Sequence, residues 1–424
     1  MNTRQDIERI IQEEDVEFIR LQFTDAFGNL KNIAVTPSQL DRVLQNKFSF
    51  AGEALFDGKV ECNEDLYLYP DPDTFVIIPW RPQSRRVAKI ICDVCYEDGT
   101  LVDMSPRTIL KKVTDEAASK GYSVKVSSEC EFFLFHTDDN GNPTVVTHEK
   151  GGYMDVGPSD FGENARRDIV LTLEDMGIRV QSSYHEKAPA QHEIDLCEVP
   201  VVDAADAVTT FRFAVRSLAK RFGLYATFMP KPKSNVAGSG LHLQVAIYKD
   251  GKNIFESEDG ISAEAKGFIG GILKHAKAIA GITNPIVNSY KRINNGCDAP
   301  GLINWSVRGE KCLVKYTRDQ GTPKVELRFP DGAANPYLAL AVCLAAGLEG
   351  IGDKTDPGNM DSMDCVALPA DLKHATEELN RDELVKSVLG NDFAEAYTAV
   401  KDSEWNEYIS EVSEWEINRY LSKM

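Results

Sequence analysis

The stretch from Ser128 to Phe135 strongly constrains how this 424-residue chain folds. Its second half, residues 132–135, is an aromatic and apolar run that predicts a buried β-strand. Its first half places Glu129 and Glu131 two residues apart, and side chains at that spacing on a strand point to the same face. Two carboxylates held so close repel each other, and one takes up a proton unless a cation lies between them. The stretch is therefore either a wet sheet edge with two solvated acids or a strand that presents both carboxylates to a cation.

Composition excludes several classes of function. The hydrophobic content of 42% and the charged content of 27% are typical of a globular protein, and the length allows two or three domains. A net charge of −19 argues against a nucleic-acid partner or an anionic membrane surface. The nine cysteines form no regular framework, no apolar segment opens the chain, and no uninterrupted apolar run reaches about 18 residues. These features predict a cytoplasmic protein with reduced thiols, no secretory signal and no membrane span.

Hydrophobic periodicity predicts two regions. The first hundred residues read mostly as strands, with a hairpin around residues 27–29, and a helix capped by Ser105 with Pro106 in its first turn marks the boundary. Helices and strands then alternate, which favours an α+β or α/β domain. The predicted strands are 123–135, 192–196, 226–229, 241–247, 313–316 and 325–329, and the predicted helices are roughly 160–176, 203–222, 262–280, 335–350 and 382–421.

Four further stretches carry residues suited to chemistry. They are the ionisable run 184–195, the Gly-Ser-Gly loop before His242, the alternating charges of Lys324-Val325-Glu326-Leu327-Arg328, and Lys291-Arg292 before a Gly- and Asn-rich loop. A Gly-Ser-Gly loop allows backbone amides to approach a ligand closely. Each stretch also has a structural interpretation as a polar loop, a core histidine or a surface ion pair. Each signal is therefore weak alone.

Taken together, these stretches supply several carboxylates, one imidazole and two arginines. Carboxylates with a single imidazole suit Mg²⁺ or Mn²⁺ better than zinc or copper. Hard cations set among carboxylates, with arginine nearby, suit phosphoryl transfer. The groups that would form such a site are Glu129, Glu131, Glu186, Glu193, His242, Arg292, Glu326 and Arg328.

Longer motifs identify a family. The sequence resembles type I glutamine synthetase over essentially its whole length. The motifs that carry this resemblance are Glu131-Phe132-Phe133-Leu134-Phe135, Gly151-Gly152-Tyr153, residues 166–170, Gln191-His192-Glu193-Ile194-Asp195, residues 226–232, Asn288-Ser289-Tyr290-Lys291-Arg292 and residues 333–338.

The resemblance implies an α+β fold: a small β-grasp domain, residues 1–103, and a large catalytic domain, residues 104–424, with a curved antiparallel sheet and helices. It also implies a homododecamer of two stacked hexamers, whose active sites lie between neighbouring subunits. In the family, ATP phosphorylates the γ-carboxylate of glutamate, and ammonia displaces the phosphate.

The resemblance further implies residue roles, with two to three Mg²⁺ or Mn²⁺ ions in each site. One ion would be held by Glu131, Glu186 and Glu193, and another by Glu129, His242 and Glu326. Glutamate would be bound by Gly238, Arg292 and Arg328. The nucleotide and its phosphates would be contacted by Lys315, Lys324 and Ser239. The amine site and catalysis would involve Tyr153, Glu186 and Asp298.

The amine site departs from the family pattern. The family's Asp-Gly-Ser-Ser motif reads Ala51-Gly52-Glu53-Ala54 here. In the family that aspartate reaches the neighbouring subunit's site, where it helps to bind and deprotonate ammonium. The glutamate that covers the site corresponds to Asp298, one methylene shorter. Tyr153 and Glu186 are kept.

The phosphate clamp also departs from the family pattern. One family arginine corresponds to Glu310, which reverses the charge, and another corresponds to Lys315, which keeps the charge without the bidentate fork. Three hypotheses remain: an ATP-dependent ligase of glutamate with an organic amine, a glutamine synthetase with rearranged contacts, and a weak or inactive paralogue that still binds ligands.

Overall fold

The structure is a computed structural model, and it describes residues 3–81, 83–258, 260–294, 299–309, 311–319, 321–362 and 366–424. Asp298 and Glu310 lie outside the described residues. The chain forms two sheets. The strands of the first precede Ser105 in the sequence, and those of the second follow it.

The first sheet has the strand order β2-β1-β6-β4-β3, with β5 paired to β6. Strands β1 and β6 run parallel, and the other pairs are antiparallel. The predicted hairpin is present as the antiparallel pair β1 and β2. Its turn is stabilised by Asp25 Oδ1, which accepts the N–H groups of Phe27 at 2.9 Å and Asn29 at 2.8 Å. The elements are α1 (Arg4–Glu13), β1 (Val16–Thr24), β2 (Leu30–Val35), α2 (Leu40–Leu44), β3 (Phe48–Ala51), β4 (Asp65–Pro70), β5 (Val76–Ile77) and β6 (Arg86–Cys95).

The second sheet has the order β13-β14-β15-β11-β7-β9-β8, with β10 paired to β7 and β12 paired to β11. All its pairs are antiparallel except β13 with β14. Its strands are β7 (Tyr122–His136), β8 (Val180–His185), β9 (Gln191–Pro200), β10 (Leu224–Thr227), β11 (Leu241–Lys249), β12 (Lys252–Asn253), β13 (Trp305–Ser306), β14 (Val314–Asp319) and β15 (Thr322–Leu327).

Helices surround this second sheet. They are α3 (Pro106–Ser119), α4 (Glu163–Asp175), α5 (Val201–Ala219), α6 (Ala263–Thr283), α7 (Val287–Ile293), α8 (Pro336–Asp353), α9 (Leu372–Arg381), α10 (Glu383–Leu389), α11 (Asn391–Ser410) and α12 (Glu414–Tyr420). Helix α8 is long and apolar enough to cross a membrane by length and composition alone, but 72% of it is buried inside the protein, as in a core helix. A Cβ added at Gly271 of α6 would lie 2.0 Å from the Ala346 carbonyl of α8, so glycine permits the close contact of these helices.

A buried arginine joins the two sheet regions. Arg107 on α3 lies 2.6 Å from Asp93 and 2.8 Å from Asp71 of the first region, and 2.9 Å from Asp206 on α5. Only 6% of Arg107 is exposed, and the three carboxylates around it offset the charge of this buried guanidinium.

Two expectations from the sequence need correction. The single helix predicted over 382–421 is wrong: Gly390, with φ of +83°, separates α10 from α11, and Glu411 leaves the helix before α12. The second is the expectation that the cysteines show no regular pattern: Cys92 and Cys95 on β6 have C-x-x-C spacing. Both are buried and free, and burial raises the pKa of the Cys95 thiol to about 11, which is unlike a reactive thiolate.

Candidate active site

A cavity of about 230 Å³ lies on the face of the second sheet. It gathers all six carboxylate and imidazole residues that the sequence nominated as metal ligands. Tyr153, Gly238, Arg292, Lys315 and Arg328 also line it. The cavity is lined by Glu129, Glu131, Tyr153, Tyr184, Glu186, Lys187, Gln191, Glu193, Ala237, Gly238, His242, Gln244, Arg292, Lys315, Thr317, Glu326 and Arg328.

Strand register places the acidic groups in a row across the sheet. Glu131 of β7 is directly opposite Glu193 of β9, and Glu129 of β7 is directly opposite His242 of β11. On the next strand, Glu326 of β15 pairs in register with Lys315 of β14. The two-residue spacing of Glu129 and Glu131 therefore places both in one cavity, as predicted, while Cys130 between them is 3% exposed and packs into the core.

The first ligand group consists of Glu129, His242 and Glu326. His242 Nδ1 lies 2.9 Å from Glu129 Oε2 and 3.7 Å from Glu326 Oε1, and one ligand atom from each of the three residues lies within 4.8 Å of the others. Burial, with the nearby Arg328 cation, lowers the pKa of His242 to about 4, so its imidazole is neutral at pH 7 and able to donate a lone pair to a metal. Gln244 Nε2 donates a hydrogen bond to Glu129 and orients it.

The second group consists of Glu131, Glu186 and Glu193. Burial raises the pKa of Glu186 to about 7, and the Glu131 carboxylate adds to the shift. Burial and Glu131 likewise raise the pKa of Glu193 well above its ordinary value. Glu186 and Glu193 thus lack enough positive charge around them to remain ionised easily, and a divalent cation among these carboxylates would supply that charge.

Two neutral donors fix the position of Glu131. Gln191 Nε2 donates to Glu131 Oε2 at 3.0 Å and also to the Gly238 carbonyl at 3.1 Å. The Gly240 N–H donates to the same Oε2 at 2.8 Å. One carboxylate oxygen is thereby held, while Oε1 lies 3.9 Å from His242 Nε2 at the centre of the row.

The arginines lie beside the Gly-Ser-Gly loop. Arg292 is buried and donates to the Phe329 carbonyl at 3.1 Å, and Arg328 donates to Glu326. A Cβ at Gly238 would lie 2.1 Å from the Pro230 carbonyl, and one at Gly240 would lie 2.8 Å from Arg292 Nη2. A side chain at residue 238 would therefore force the backbone to move, and the glycine at residue 240 allows the loop to approach Arg292 closely.

Other nominated residues lie outside the cavity lining. Lys324 Nζ is 2.8 Å from Asp319 and 3.0 Å from Ser127, and Ser239, in the middle of the Gly-Ser-Gly loop, is fully buried. Ala51 ends β3, is exposed, and is not among the residues that line the cavity of its own chain. Asp298 and Glu310 lie outside the described residues, and the structure gives no placement for them.

Sequence reasoning assigned no role to Gln191, Gln244, Tyr184 or Lys187, all of which line the cavity. Strand alternation identifies the two glutamines in retrospect. Gln191 precedes Glu193 by two residues, and Gln244 follows His242 by two, so each shares a face with a ligand. The donor set as a whole, carboxylate oxygens with one neutral imidazole and amide donors behind them, fits a hard divalent cation.

Comparisons with known proteins identify the family. Residues 15–97 match the β-grasp domain of glutamine synthetase, and residues 103–420 match its catalytic domain. A glutamine synthetase of Clostridium saccharobutylicum is 44% identical over 439 residues, with 99% of each chain covered. One of Methanosarcina mazei is 43% identical, covering 100% of this chain and 98% of the relative.

Solved structures agree. A GmaS/ADP complex has a TM-score of 0.90 at 32% identity, covering 98% of this chain and 99% of that chain. A cryo-EM structure of Plasmodium falciparum glutamine synthetase has a TM-score of 0.88 at 22% identity, covering 99% of both chains, and it supports the fold alone. The expected β-grasp domain with a large mixed catalytic domain is confirmed. The chain belongs to the type I glutamine synthetase family and is an ATP-dependent ligase.

Proposed function

We propose that this ligase joins the γ-carboxylate of glutamate to an organic amine, through a γ-glutamyl phosphate formed from ATP. The observation that carries the choice of amine is Ala51-Gly52-Glu53-Ala54, where the family has Asp-Gly-Ser-Ser. Alanine at residue 51 lacks the carboxylate that helps to bind ammonium in the family, and the small side chains of Ala51 and Ala54 leave room for a larger nucleophile. Similarity to the GmaS/ADP complex over 98% of this chain supports the nucleotide part of the proposal.

The carboxylate of glutamate is a poor electrophile, because its leaving group would be oxide, whereas phosphorylation supplies phosphate as leaving group. Arg292 and Arg328 would bind and orient glutamate, and the Lys315 side chain would donate hydrogen bonds to the phosphate. Mg²⁺ or Mn²⁺ ions, held by the two sets of ligand residues described above, would offset negative charge on the transferring phosphoryl group. Glu186 and Tyr153, which both line the cavity, would receive the amine.

We also propose that the site is completed by a second copy of this chain. Ala51 is exposed and lies outside the cavity of its own chain, which fits a contribution to a neighbouring subunit. Residues 411–424 are all exposed, although Trp415, Ile417 and Leu421 are large and apolar. Such a segment fits burial against another subunit, in line with the dodecamer that the family resemblance implies.

The test measures phosphate release from ATP with glutamate and Mg²⁺ or Mn²⁺, adding ammonium, methylamine, ethanolamine or a polyamine in turn. An organic amine should give a higher kcat/KM than ammonium. Ala51→Asp should worsen use of that amine, while Ala51→Asn, which has nearly the same size without the charge, should show how much is due to volume alone. Ammonium preference in the unmodified enzyme would refute the proposal.

A second candidate is glutamine synthetase activity itself, favoured by the 44% identity to the Clostridium enzyme of that name. In that case ammonium would be the best nucleophile, and Ala51→Asp would improve its use. A third candidate is a weak or inactive paralogue, for which the charge reversal at Glu310 is the reason. Nucleotide binding by calorimetry without turnover of any amine would support it.

A further inference from the structure

A second, larger cavity lies between the first sheet and the catalytic region, apart from the active site. Its volume is about 630 Å³. One wall is formed by β1 and the β1–β2 turn, and the opposite walls by α5, the 332–335 segment and α11. None of the nominated metal or glutamate ligands lines it.

Positive charge is concentrated in this interdomain cavity. Five of the described lining residues are cationic, Arg20, Lys59, Arg212, Arg216 and Lys401, and one, Glu404, is anionic. Glu404 lies 3.0 Å from Lys401 and offsets that charge. In a chain with a net charge of −19, an excess of four cations in one cavity is the opposite of the overall trend.

Aromatic faces, rather than carboxylates, support several of these cations. The Arg216 guanidinium lies 5.3 Å from the centre of the Phe228 ring, and Lys59 Nζ lies 4.8 Å from that of Phe27. Aromatic rings attract a cation but do not neutralise its charge. The cavity therefore retains most of its positive potential.

Arg212 supplies the sharpest indication of a missing partner. Its Nη1 donates to the Ala334 carbonyl at 2.8 Å, but its Nη2 is buried and has no hydrogen-bond partner within the described part of the chain. Arg212 is 9% exposed, and it lines the cavity. Burial lowers its pKa to about 10, and the nearby Arg216 cation contributes to the lowering. A buried guanidinium N–H without an acceptor is costly, and an anion in the cavity would supply one.

We propose that this interdomain cavity is a second ligand site, which binds a small anion carrying at least two negative charges as carboxylates or phosphates. Arg212 and Lys401 form the buried floor, while Arg216 and Lys59 lie at the accessible rim. Two or more anionic groups match the excess of cations, and the volume accommodates a molecule of the size of citrate or pyrophosphate. The proposal does not depend on which amine the active site uses.

The floor of this site is connected to the active site by hydrogen bonds. Arg212 holds the Ala334 carbonyl, and the neighbouring Gly332 N–H reaches the Ser239 carbonyl at 3.4 Å. Ser239 precedes Gly240, whose N–H holds Glu131. An anion that binds Arg212 and shifts its guanidinium would therefore move the Gly-Ser-Gly loop that positions Glu131. Occupancy of the interdomain cavity is expected to change the apparent affinity of the active site for metal.

The experiment titrates the full-length protein, in EDTA and without ATP or glutamate, with inorganic pyrophosphate and separately with citrate. Calorimetry and thermal unfolding report binding, since a ligand of the folded state raises the unfolding temperature. Arg216→Gln and Lys59→Gln change rim residues that are exposed, so folding is preserved. Arg221→Gln, an exposed arginine five positions further along and outside the cavity lining, is the matched control.

At least one anion should bind, and Arg216→Gln should weaken that binding about tenfold or more, while Arg221→Gln leaves it unchanged. Binding of citrate alone identifies a carboxylate ligand, and binding of pyrophosphate alone a phosphate ligand. Absence of binding by both anions overturns the proposal. Binding that Lys315→Gln weakens and Arg216→Gln does not also overturns it, because the anion then lies in the active site.

Discussion

Replacing Glu186 by glutamine should stabilise the metal-free protein while weakening its response to divalent ions. Glu186 is 8% exposed and lies close to Glu131 and Glu193 in the active-site cavity. Burial and the Glu131 charge raise its pKa to about 7 from the ordinary value of 4.5. Glutamine keeps the shape and the oxygen that accepts the Lys187 N–H at 2.8 Å, and removes only the charge.

The magnitude follows from proton linkage. Below pH 4.5 both the folded and the unfolded protein carry the proton on Glu186, and the carboxyl does not affect stability. Between pH 4.5 and about 7 the unfolded chain releases the proton while the folded protein keeps it, so the free energy of unfolding falls as pH rises. Above pH 7 the loss is complete and amounts to about 3 kcal/mol. The variant lacks this loss.

Chemical denaturation in EDTA at pH 5.0, 6.0, 7.0 and 8.0 measures the effect, repeated with saturating Mn²⁺. The advantage of Glu186→Gln should grow with pH in EDTA, and Mn²⁺ should stabilise the unmodified protein more than the variant. Glu395→Gln, on the exposed face of α11, controls for the loss of one negative charge. Parallel pH dependences of the variant and the unmodified protein in EDTA would refute the reasoning.

Three further substitutions probe the surroundings of the site. Gly240→Ala places a methyl group 2.8 Å from Arg292 Nη2 and should raise KM for glutamate about tenfold or more, measured by steady-state kinetics; an unchanged KM would contradict the assigned role of the arginine. Gln191→Leu removes the amide that holds Glu131 and should weaken Mn²⁺ binding about 10- to 100-fold in a direct titration, with equal affinity counting against it. Arg107→Met leaves three buried or half-buried aspartates without their shared cation and should cost about 3–5 kcal/mol in denaturant unfolding; a loss below 1 kcal/mol would show that the aspartates find other partners.

Local periodicity predicted the part of the site that lies on strands. Glu129 and Glu131 share a face because the two-residue repeat of a strand leaves no alternative. The same rule would have identified Gln191 and Gln244. It could not predict that β7 lies between β9 and β11, since strand order depends on contacts distant in sequence.

Breaks within long amphipathic stretches were harder to predict. The apolar pattern continues through residues 382–421, but the structure divides this stretch at Gly390 and after Ser410. Asp382 accepts the Val385 N–H at the start of α10 and Ser413 accepts the Glu416 N–H at the start of α12, whereas Gly390 before α11 provides no side-chain cap. These cap residues are visible in the sequence. Within a periodic stretch, however, the same residue can equally be an ordinary exposed position of a continuous helix, so it does not by itself predict a break.

Under the proposed function, acyl-phosphate formation and amine choice should be separable, because the ligand row and Ala51 lie on different sheets. Except for Glu186, the carboxylates and His242 lie on paired strands, where a shift of one residue would turn every side chain to the opposite face. Ala51 lies at the exposed end of β3, so a substitution there changes charge without moving the row of ligands. Ala51→Asp should therefore leave glutamate-dependent ADP formation without added amine within about twofold, while it shifts kcat/KM between ammonium and organic amines. Gln191→Leu should lower both rates together, because it disturbs Glu131. If Ala51→Asp lowered both rates equally, residue 51 would act on the phosphoryl transfer itself and the separation would fail.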